Sequence, residues 1–264
     1  MRLAHAVLVV TAVLAAGCGA EPEAAEEPAR PLPASAKAAL ECDGEPYRTG
    51  RGDYQDGLAT VQDFPETALV DYFSEALFSD ELPADGYRVE PREDGRALLS
   101  YDVDGRTKVA VITTDGMRDF NGSTGWGVET WAQCDLAEMP ADFTEAAGTG
   151  VWEDAQGDRV PTARVRSFQG AEHCDWEDVT YLVLGPGDAR WYLRDPGGEF
   201  DGLLRGAFDP SATLPQDATD TGWRRDGRQL WVTEDAAYLV SLADRQDVER
   251  WPAPQDRSNP PLCS

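Results

Sequence analysis

Glu172-His173-Cys174-Asp175-Trp176-Glu177 is the densest cluster of reactive side chains in the sequence. An imidazole between carboxylates suits proton transfer, and beside a thiolate it suits nucleophilic attack. The second use needs a free thiol. Cys42, Cys134, Cys174 and Cys263 form an even set, for which disulfides are the first reading in an exported chain, so a Cys-His nucleophile at Cys174 would be quenched. Four cysteines allow three connectivities; chain order favours Cys42 with Cys134 and Cys174 with Cys263, at spacings of 92 and 89 residues. Zinc is not expected, because no Cys-x-x-Cys occurs and the one histidine besides His173 is His5. Asp102-Val103-Asp104-Gly105 starts like a calcium loop. Arg106 and Thr113 then stand where ligands are required, so it reads as a hairpin turn. Gly-x-Ser-x-Gly, His-Glu-x-x-His and a phosphate-cradling glycine loop are all missing, so no catalytic residue, metal or cofactor is assigned.

Eight tryptophans are the other resource. Trp131 and Trp176 stand close to cysteines, and an indole packed on a disulfide is an ordinary core feature of β domains. The alternative is a platform for a ligand, with Trp176, Trp191, Trp223 and His173 as the candidate binding residues.

The N-terminus supplies an address. Met1 and Arg2 precede an apolar run, Leu3 to Ala16, that is too short to span a membrane, which takes about 20 residues. Leu14-Ala15-Ala16-Gly17-Cys18-Gly19 follows, and resembles the lipobox of bacterial lipoproteins, with Ala15 where leucine is usual. The resemblance implies removal of residues 1–17, a diacylglyceryl thioether on Cys18 and acylation of the new amine. It also explains the odd fifth cysteine. Residues 18–40, rich in Pro, Glu and Ala, read as a lipidated tether reaching roughly 75 Å at about 3.4 Å per residue.

The precursor has a formal charge of −26. Such a field repels nucleic acid and anionic headgroups and favours cations or basic partners. Two Lys, two Asn and one Ile, against abundant Arg, Ala and Gly, suggest a high-GC genome. The chain resembles actinobacterial lipoproteins, which implies a position on the outer face of the cytoplasmic membrane.

Periodicity organises the remainder into residues 41–140 and 141–264. Asp63-Phe64-Pro65-Glu66 opens a helix whose buried stripe is Ala68, Leu69, Tyr72, Phe73, Ala76 and Leu77. Alternation then predicts strands over 87–90, 96–103, 107–114 and 124–134, with Asp94-Gly95 and Asp104-Gly105 as positive-φ turns. One helix on an antiparallel meander makes an α+β first half. The polar stretch 136–150 reads as a boundary. A mainly-β second half follows, with strands over 163–168, 179–184, 190–194, 229–233, 237–242 and 248–251, antiparallel throughout, and loop over most of 202–220. The expectation is a non-catalytic, membrane-anchored binding or scaffolding module of the cell envelope, whose candidate partners are a glycan, a cation or a basic protein. The alternatives are an envelope glycan hydrolase using a carboxylate pair, and a divalent-cation or basic-peptide binder.

Overall fold

A computed structural model describes residues 32–54, 59–75, 82–83, 85–90, 94–186, 189–256 and 260–261. The signal segment, Cys18, most of the tether, Cys263, and Ala76 and Leu77 of the helical stripe lie outside the described residues. The chain is mostly antiparallel β, in three sheets, with few helices.

The first sheet has five strands: β1 (Arg48–Arg51), β2 (Arg88–Val89), β3 (Arg96–Val103), β4 (Arg106–Arg118) and β5 (Thr124–Gln133), in the order β1-β5-β4-β3-β2. Asp104 and Gly105 join β3 to β4 with φ of 52° and 75°, the mirror-image turn that matches strand twist. The segment that starts like a calcium loop is therefore a hairpin. On one face lies α1 (Pro65–Glu75), whose proline occupies the first turn, where its missing N–H costs nothing. Leu69 and Phe73 from α1 pack on Leu99, Val111 and Trp131 of the sheet. The opposite face carries a 3-10 turn, Ala36–Ala39, with Ala36 fully buried against Leu98 and Ile112. This corrects the tether's far end: residues 32–40 are part of the fold, because their alanines and leucines cover a sheet face that is itself apolar. Cys42 and Cys134 form a disulfide that fastens this segment to the end of β5.

Two meanders of four strands follow. The first comprises β6 (Thr149–Val151), β7 (Val165–Gln169), β8 (Thr180–Leu184) and β9 (Arg190–Arg194). The second comprises β10 (Thr219–Arg225), β11 (Arg228–Val232), β12 (Ala236–Ser241) and β13 (Val248–Pro252). They share a core in which Leu182 and Tyr192 of one meet Leu230, Leu239 and Trp251 of the other. Each such side chain is worth roughly 1.5 to 3 kcal/mol in burial. The seam beyond β6 is stitched by Glu153 and Arg224, which exchange backbone hydrogen bonds of 2.9 and 2.7 Å. The free edge of β13 takes up segment 204–212, where Asp209 and Arg250 exchange bonds of 3.1 and 2.8 Å.

The expected boundary near residue 140 holds structure instead: a 3-10 turn, Leu136–Glu138, then α2 (Ala141–Ala146) and β6. Asp135 sits there, 7% exposed, and accepts hydrogen bonds from Ala137 N, Thr162 N, Thr162 Oγ1 and Ala163 N. The described residues all belong to one compact unit.

Candidate functional site

Side chains alternate along a strand, so residues two apart share a face. Tyr192, Leu230 and Trp251 point into the core between the meanders, and therefore so do Arg194, Arg228 and Glu249. The same parity turns Ser167 of β7, Thr180 of β8 and Arg225 of β10 inward with Val165, Leu182 and Trp223. All six lie toward the same end of the two meanders. Polar side chains there replace the apolar layer beneath, and leave a cavity of about 460 Å³ that they line. Trp152, Leu239 and Trp251 make its apolar wall, and Glu145, Gly148 and Thr149, from the end of α2 and the start of β6, stand at the rim. The mouth of a β sandwich or barrel is a customary place for a small-molecule site.

The charged groups divide into anchored and available. Glu249 accepts a 3.0 Å hydrogen bond from Trp251 Nε1, and its carboxylate lies 3.4 Å from Arg228 and 3.9 Å from Arg194. Arg228 is further held by both oxygens of Asp247, each at 3.0 Å, and donates to Leu239 O at 3.1 Å. Arg225 donates Nη1 to Ser167 Oγ, and its Nε pairs with Asp226 at 3.3 Å. The side chain of Arg194 makes no hydrogen bond among the described residues; its guanidinium stands 5.2 Å from the ring centre of Phe208. The indole N–H of Trp152 is buried and, among the described residues, has no hydrogen-bond partner. A buried donor without a partner costs about 1 to 3 kcal/mol.

Ser167 Oγ accepts from Arg225, and among the described residues no histidine lines the cavity. Cys42, Cys134 and Glu138 bring three potential metal-ligand atoms within 4.8 Å of one another, but the sulfurs are joined in a disulfide and offer no thiolate. Glu138 is instead the partner of Lys108, at 2.6 Å.

The candidates named from sequence sit elsewhere. His173 is exposed on a 3-10 turn, Glu172–Cys174, and Cys174 is disulfide-bonded. Trp176 packs edge-on to Phe200 with ring centres 4.8 Å apart. Trp191 meets Phe168 and Tyr181 edge-on, at 6.1 and 6.3 Å, in the same apolar cluster on the outer face of the first meander. Trp223 is half-buried against the inner core. None of these four lines the cavity. Three tryptophans, Trp131, Trp152 and Trp251, are buried and the other five half-buried.

The cavity residues escape a search for motifs, yet they carry a signal in the sequence. In Tyr192-Leu193-Arg194, Arg228-Gln229-Leu230 and Glu249-Arg250-Trp251 a charge shares its face with a core residue. Comparison with family models, with curated proteins and with solved structures gives no match to this chain.

Proposed function

We propose that this chain is a non-catalytic binding module of a bacterial cell envelope, held by a lipid on Cys18 at the outer face of the cytoplasmic membrane, with its ligand in the cavity between the two meanders. In this reading an α+β first half carries a mainly-β second half that presents the site. The lipobox-like sequence at Cys18 supports the address. One observation carries the binding role: the side chain of Arg194 lines a cavity walled by Trp152, Leu239 and Trp251 and keeps its donors free of hydrogen bonds to described residues.

Two measurements test it. Palmitate is expected to label the wild-type chain and not the Cys18→Ala variant; continued labelling of that variant refutes the anchor. A fragment library screened by the indole N–H resonances of the full-length protein, with Trp152→Phe providing the assignment, is expected to yield binders that move the Trp152 signal. A screen whose binders all leave that signal in place refutes the site.

A further inference from the structure

We infer that the ligand is a small organic anion, a carboxylate or phosphate on a flat apolar body, clamped by Arg194 and Arg225; the inference rests on reading the cavity as a binding site. Three arginines and three carboxylates line the cavity, so the charge of a ligand turns on which of them are free. An arginine carries five N–H donors in a rigid fork. Arg228 commits its two terminal nitrogens to Leu239 O and Asp247, so it is a wall. Arg225 uses Nη1 on Ser167 and Nε on Asp226, which leaves Nη2 without a partner among the described residues. Arg194 has only the long approach of Nε to Glu249, 3.9 Å, and the ring of Phe208.

Of the carboxylates lining the cavity, Glu249 is taken by Trp251 and the neighbouring arginines, while Glu145 and Asp226 are exposed at the rim. A cation entering would meet guanidiniums. An anion would meet the open fork of Arg194 and the second terminal nitrogen of Arg225, and paired N–H groups of arginine match the geometry of carboxylate and phosphate. The walls set the remainder of the molecule. Trp152, Trp251 and Leu239 offer flat and apolar surface, and about 460 Å³ suits a small molecule and not a polymer segment.

Calorimetric titration of phenylacetate, phenyl phosphate and neutral phenylacetamide into the full-length protein tests the inference, with the Trp152 indole resonance as a second readout. Both anions, or the one whose geometry the clamp prefers, are expected to bind and to move the Trp152 signal, with the amide roughly tenfold weaker or more. Arg194→Gln removes no hydrogen bond among the described residues, so it should fold; it is expected to weaken anion binding roughly tenfold and leave the amide unchanged. An amide that binds as tightly as the anions overturns the anion class while the cavity reading stands. So does an Arg194→Gln protein with unaltered anion affinity. If none of the three probes binds, the anion inference falls, and the fragment screen decides the cavity reading separately.

Discussion

The guanidinium of Arg225 lies against the backbone of Gly150, where a Cβ would stand 1.5 Å from Nη1 and 2.2 Å from Ser167 Oγ. Glycine at this position is what lets an arginine from β10 reach across β6 to a serine on β7. Gly150→Ala is therefore expected to expel the guanidinium, which is the movable end of a flexible side chain. Ser167 Oγ, in a residue 1% exposed, then loses its partner, at a cost of about 1 to 3 kcal/mol in urea denaturation. Ligand affinity should fall with it. A structure of the variant with Arg225 still bonded to Ser167 would contradict this account.

Asp135 joins the first sheet to the second half through its bonds to Thr162 and Ala163, and caps the 3-10 turn at Leu136 through Ala137 N. Hydrogen bonds to a charged group are worth about 1.5 to 3 kcal/mol each, and stranding several buried donors compounds the loss. Asp135→Ala should cost roughly 3 to 5 kcal/mol. Wild-type protein is expected to unfold in one transition. Two separate wild-type transitions would show that the halves fold independently and that the carboxylate ties nothing.

Alkaline stability should follow three tyrosines, of which Tyr87 is pushed up by burial and by its neighbour Tyr101. Burial, aided by Tyr72 and Asp71 and opposed by the hydrogen bond from Val128 N, pushes the Tyr54 hydroxyl up to about 12 from 10.0. Burial, with Asp195 nearby, takes Tyr181 to about 12 as well. Their folded values exceed the unfolded one, so the stabilisation is complete below pH 10 and is lost as pH rises from about 10 to about 12. Discounted for screening by solvent, each contributes on the order of 1 to 2 kcal/mol. The urea midpoint should drop across that window and drop less in Tyr54→Phe; a flat profile from about pH 10 to about 12 would count against the burial argument.

Local chemistry made much of the β structure readable. β3 and β9 occupy the ranges that alternation predicts, 96–103 and 190–194, and Asp94-Gly95, Asp104-Gly105 and Asp226-Gly227 all adopt positive φ. These features depend on neighbours in sequence, since a side-chain period and a turn are complete within a few residues. β1, β6 and β10 were not readable, the last beginning inside the expected loop. Arg48-Thr49-Gly50-Arg51 has no apolar alternation and is a strand because β5 offers it an edge; β6 has three residues and exists through β7. The 3-10 turn at Ala36 was hidden inside a tether-like composition and became structure by covering Leu98 and Ile112.

Sequence alone determined the alternation that turns Arg194, Arg228 and Glu249 toward the core side of their strands. Only the tertiary structure decided that these ends converge around Trp152, and that Gly150 makes room for Arg225. The physical reason is range. Which face a side chain takes is set by its own strand, whereas which strands meet is set by pairings between residues far apart in the chain.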